Sequence, residues 1–152
     1  MDRVNKVILF LPFWALLDIA STLYVESRGY SLALYEVGFF ARFFVHVGLT
    51  HVYAVAYLVI VAGFACFFWF AKNRVLKPSH FFDRVLFVLL VCGLGYMYVV
   101  FASTIAGNFL LPIIIEWRIS SSAICAVAAA GTIACLAFYV QHDVMLYLKA
   151  ER

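Results

Sequence analysis

Four times along the chain the polar residues thin out and apolar ones run almost unbroken: Val7–Val25, Val52–Ala71, Val85–Ile105 and Ser122–Val140. Each run comes close to the roughly 20 residues that an α-helix needs to cross a hydrocarbon layer about 30 Å thick. The runs are too long for buried strands, which usually span about 4–8 residues. They are also apolar all round, unlike the one-sided stripe of a helix on a soluble protein. The pattern predicts an all-α membrane protein with four transmembrane helices, at about 7–25, 52–71, 85–105 and 122–140. They are expected to form an up-down bundle in a single integral membrane domain over 1–152. Arg3 and Lys6 ahead of the first run mimic a signal peptide. A cleaved apolar region is shorter, about 7–15 residues, and Asp18 interrupts this one, so a retained first helix is expected.

The intervals differ in kind. The stretch from Lys72 to Arg84 is short and basic and contains Asn73, Pro78 and Ser79. It reads as a hairpin turn at the headgroups, with Ser79 as N-cap and Asp83 near the positive end of the third helix. The stretch from Glu26 to His51 is too long for a tight turn and too apolar for a solvated loop. Over 31–47 it mixes Leu32, Tyr35, Phe39, Phe40, Phe43 and Phe44 with Glu36, Arg42 and His46, which predicts an amphipathic or re-entrant segment at the membrane surface. Pro112, Trp117 and Arg118 are expected in a loop between the third and fourth helices, with Trp117 as an interfacial anchor.

Composition narrows the class further. The 152 residues are 67% hydrophobic and 12% charged, against about half and a quarter in soluble domains, and the mean hydropathy is +1.04. That excludes an ordinary soluble domain and a disordered chain. The net charge of +3 is small and spread over several loops, so it is no footprint for nucleic acid. It does carry topology. Eight Lys and Arg flank one side (Arg3, Lys6, Lys72, Arg74, Lys77, Arg84, Lys149, Arg152) and three the other (Arg28, Arg42, Arg118). Positive residues collect on the cytoplasmic side, so both termini are expected there. Cys66, Cys92, Cys125 and Cys135 all lie inside apolar runs with no close pairing, which reads as buried small side chains rather than a disulfide or zinc framework.

Candidate chemistry is sparse. Asp18 lies about 11 residues past Val7, roughly 16 Å along a helix rising 1.5 Å per residue, and so near the middle of the bilayer. An ionisable group there costs at least about 2.5–3.5 kcal/mol on insertion scales. It is expected to face the bundle and to have partners. Ser21 and Thr22 follow at i+3 and i+4, on the same face, and make a polar stripe. Glu36, Arg42, His46 and Asn108 make a second, external cluster, with Asn108 at the end of the third helix and within reach of Glu36 or Arg42. His46 and His51 are five apart, poor spacing for a helical metal pair, and neither a metal nor a cofactor is expected. On the fourth helix Ala126, Ala130 and Ala134, beside Gly131, recur at helical spacing and predict close packing inside the bundle or with another subunit. No nucleophile, phosphate-loop or zinc motif is present.

The order Asp18-Ile-Ala-Ser21-Thr22, then Gly29, then Glu36 ahead of the second span resembles a family of small prokaryotic four-helix membrane proteins of unknown function. Its pattern is D-x-x-S-T in the first helix, a following glycine, and E-x-N-P leading into the second. Tyr96, Tyr98 and Asn108 resemble its Tyr-rich third helix. Here Glu36 is followed by Val37, Gly38 and Phe39 rather than by x-N-P. The resemblance implies the plasma membrane of a prokaryote and carries no activity. Three functions are then expected in order. The first is a non-catalytic accessory or anchoring subunit, partnered by the bilayer and by other membrane subunits or copies of itself. The second is a small oligomeric proton or cation transporter or channel using Asp18. The third is an intramembrane lipid- or peptide-modifying enzyme using Asp18 and Glu36. Asp18→Asn is expected to do far more harm than Asp143→Asn.

Overall fold

The computed structural model describes residues 2–30, 43, 46–75, 80–117 and 120–149. Among these the fold is all helical. The elements are α1 (Asp2–Ser27), α2 (Thr50–Phe70) continuing into a π-helical turn (Ala71–Val75), α3 (Phe81–Trp117) and α4 (Ser121–Lys149). All four are long and apolar enough to cross a membrane. Each predicted span lies within one of them, apart from Ala71, which opens the π turn. The largest difference is in α3. It runs 37 residues, about 55 Å at 1.5 Å per residue, straight through Pro112. The expected loop at Pro112 is therefore helix, and Asn108 lies inside α3 rather than at its end. A proline inside a membrane helix is tolerated because neighbours supply what the missing N–H removes.

The helix ends follow from local chemistry. α1 closes in a Schellman motif: Tyr30 N–H donates to the Val25 carbonyl (3.3 Å) and Gly29 N–H to that of Glu26 (2.9 Å). Gly29 has φ +82°, the left-handed conformation that this cap requires and that a Cβ disfavours. The start of α1 is capped from a distance. Asp143 of α4 accepts the backbone N–H groups of Arg3 (2.9 Å) and Val4 (3.2 Å) on Oδ2. Asp143 is 3% exposed. It is therefore no inert control for Asp18, because it satisfies two of the four donors that a helix start leaves open. Nearby, Lys72 Nζ donates to Asn5 Oδ1 at 2.6 Å and is 3% exposed. The expected headgroup turn thus begins with a buried lysine locked onto α1. Ser79 lies outside the described residues.

One core joins the four helices. Val4, Ile8, Leu11 and Ala15 of α1 meet Val61 and Ala65 of α2, Phe87, Leu94, Tyr98 and Phe101 of α3, and Val140 and Tyr147 of α4. α1 is the most enclosed span, with 28% of its apolar window buried against 11% for α2 and 6% for α4. α3 packs mainly on α4 and α1, and α2 on α1. Tyr98 extends the core into hydrogen bonding: its hydroxyl donates to the Val7 carbonyl at 2.6 Å. That is one residue before Ile8, whose carbonyl loses its usual donor to Pro12.

The small residues that bring α3 and α4 together are Ser103, Gly107 and Cys125. Ser103 Oγ donates to the Cys125 carbonyl (3.3 Å), and Cys125 Sγ donates back to the Ser103 carbonyl (3.7 Å). A Cβ at Gly107 would lie 3.8 Å from that sulfur. Ala126, Ala130, Gly131 and Ala134 instead lie on the exposed side of α4. Cys66, Cys92 and Cys135 are exposed too, contrary to their expected burial. The reason is the solvent. In a bilayer the outer face is as apolar as the core, so an apolar neighbourhood does not identify the inside.

Candidate functional site

The polar stripe of α1 is built from its own turn geometry. Ser21 and Thr22 each donate to the Asp18 backbone carbonyl, at 2.7 and 3.0 Å. With their protons spent inside the helix, both oxygens are left as acceptors facing outward. Asn108 of α3 fills that role. Its Nδ2 donates to Ser21 Oγ at 2.9 Å and to Thr22 Oγ1 at 3.2 Å. The path Asn108 to Ser21 to the Asp18 carbonyl is a chain of like-oriented dipoles, in which each bond polarises the next. Ser21 is completely buried. Pro112, four residues past Asn108, removes the N–H that would bond the Asn108 carbonyl, so the residue that reaches across to α1 also sits at a break in its own ladder.

The Asp18 carboxylate turns the other way, to α2. Tyr57 Oη donates to Asp18 Oδ2 at 2.9 Å. The ring is held for this by two aromatic neighbours. It stacks on Tyr53 with centroids 5.8 Å apart and meets Phe101 of α3 edge-on at 6.3 Å. Asp18, Ser21, Thr22, Tyr57 and Asn108 therefore form one polar cluster that ties α1 to both α2 and α3, inside helices that are otherwise apolar.

The two sequence clusters are partly merged by this arrangement. Asp18, Ser21 and Thr22 are together as expected. Asn108, grouped with the external residues, joins them instead. His46 is exposed, and Glu36 and Arg42 lie outside the described residues, as does nearly all of the segment 31–47. Tyr57 is the member that sequence reasoning missed. A signal was available: Tyr53 and Tyr57 share a face four residues apart, and their hydroxyls are rare polar groups on α2. Among the described residues no three His, Cys, Asp or Glu side chains converge as a metal site requires. Chemically, the cluster can hold three helices in one register and bury a carboxylate with a donor already in place.

The chain matches no protein-family model, no curated protein and no solved structure. The resemblance carried by Asp18, Ser21, Thr22 and Gly29 thus rests on those motifs alone.

Proposed function

We propose that this protein is a non-catalytic integral membrane subunit that acts by binding, as an accessory or anchor within a larger membrane assembly. The observation that carries this reading is how its polar and small residues are divided. The intramembrane polar side chains Asp18, Ser21, Thr22, Tyr57 and Asn108 are engaged with one another across helices. The small residues Ala126, Ala130, Gly131 and Ala134 lie on the outer side of α4. Small residues at that spacing allow a second helix to approach closely.

In this reading the helices run up and down in a prokaryotic plasma membrane with both termini in the cytoplasm. The contacts of Arg3 and Val4 with Asp143, and of Asn5 with Lys72, support it by joining the start of α1 to the ends of α2 and α4. Purification in mild detergent, with the intact particle weighed and its components identified, tests the proposal. A heteromeric particle is expected. A monomer or a homo-oligomer sinks it and turns attention to ion flux through Asp18.

A further inference from the structure

Away from the polar cluster, α1, α3 and α4 enclose an apolar groove of about 390 Å³, partly open to the outside. Val4 and Val7 line it from α1, positions between Val91 and Val99 from α3, and positions between Ile133 and Val140 from α4. The α3 lining covers about 12 Å of helix, close to half of a hydrocarbon core about 30 Å thick. The groove therefore follows the helix axes and is about one leaflet deep. Its volume is within the range of about 300–1,000 Å³ typical of small-molecule sites.

The lining itself is apolar, and the charge comes from the residue before Val4. Val4 and Val140 line one end of the groove, and their chain neighbours Arg3 and Tyr139 hold each other. Arg3 Nη1 donates to the Tyr139 carbonyl at 3.2 Å, and the guanidinium lies 5.6 Å from the centre of that ring. Arg3 stays exposed, and a guanidinium fixed at one edge keeps further donors for a phosphate. Lys6, also exposed, adds a second positive charge one turn along α1. Asp143 is close by, and the Arg3 and Val4 backbone N–H groups that bond its Oδ2 favour its charged form, which the Lys6 charge offsets. We propose that this groove seats one acyl chain of an anionic phospholipid, with the phosphate on Arg3. The proposal rests only on the chain lying in a bilayer, and not on its being a subunit of a larger assembly.

Native mass spectrometry of the full chain, loaded with phosphatidylglycerol or with diacylglycerol of the same acyl chains, tests this. Wild type should keep one phosphatidylglycerol per chain about tenfold better than diacylglycerol, the ratio expected of one charge-assisted contact. Arg3→Gln should bring the two lipids to parity. Gly95→Leu should release both. A Cβ at Gly95 meets no heavy atom within 4 Å, so the added side chain enters the groove rather than the backbone of a neighbour. Helicity by circular dichroism checks that the variant folds, and Ala137→Phe fills the same space if it does not. Equal retention of the two lipids by wild type would overturn the proposal, as would full retention by a folded groove-filled variant. So would a homodimer that Gly95→Leu dissociates, because the occupant would then be a second copy.

Discussion

Asn108 and Tyr57 are the residues through which the central helix is fixed, and each can be tested separately. Asn108→Leu removes two interhelical bonds and Tyr57→Phe one. Measured interhelical bonds in membranes average about 0.6 kcal/mol and reach about 1.7. Asn108→Leu should therefore lower stability by about 1–3 kcal/mol and Tyr57→Phe by roughly half as much, read as shifts in an unfolding titration in mixed micelles. Asp143→Leu should cost at least as much as Tyr57→Phe, because it leaves two N–H groups of α1 open. The Asp18–Ser21–Thr22 stripe was legible in the sequence because three polar residues at i, i+3 and i+4 stand out on an apolar helix. Asn108 was legible as polar but misplaced, since Gly107-Asn108 followed by Pro112 reads as a stop. Tyr57 was hidden by the nine tyrosines of the chain, most of which suit a membrane interface without any specific partner.

At the scale of elements, the number and order of the helices follow from the hydrophobic runs, and their faces do not. Ala126, Ala130, Gly131 and Ala134 and the pair Gly107 and Cys125 look alike in sequence, yet among the described residues the first set is exposed and the second lies where α3 meets α4. Lipid and core have the same polarity, so hydropathy cannot tell them apart, whereas a donor and acceptor such as Ser103 and Cys125 can. Gly107→Leu should drive α3 from α4 and destabilise by about 1–3 kcal/mol, the usual effect of overpacking. Gly131→Leu should leave the isolated protein as stable as wild type, since a Cβ there meets nothing within 4 Å. Gly29→Ala should cost about 1–2 kcal/mol by placing a Cβ in a left-handed conformation. Faster hydrogen exchange at the Gly29 and Tyr30 amides would locate that loss in the α1 cap.

For the whole molecule the outward face of α4 decides between readings. If that face meets only lipid, Gly131→Leu is silent in every assay. If it seats another subunit, the same change should shrink the native particle while the chain itself stays folded. Intact mass in mild detergent distinguishes the two. That the chain forms four helices long and apolar enough to cross a membrane was legible from hydropathy and composition. The closeness of the start of α1 to the ends of α2 and α4 rests on side chains that the sequence does not pair. Asn5 and Lys72 are 67 residues apart, Arg3 and Val4 are 140 and 139 from Asp143, and nothing in either local sequence announces the other.

The Asp143 cap also sets an order of events during synthesis. The first turn of α1 leaves the ribosome well before α4, and the carboxylate that satisfies its N–H groups is made some 140 residues later. Until α4 arrives those groups depend on water or lipid headgroups. Of the four helices, the earliest made is thus the last to be finished. A nascent chain arrested before α4 should show a frayed α1 start, and Asp143 is the residue whose arrival closes the fold.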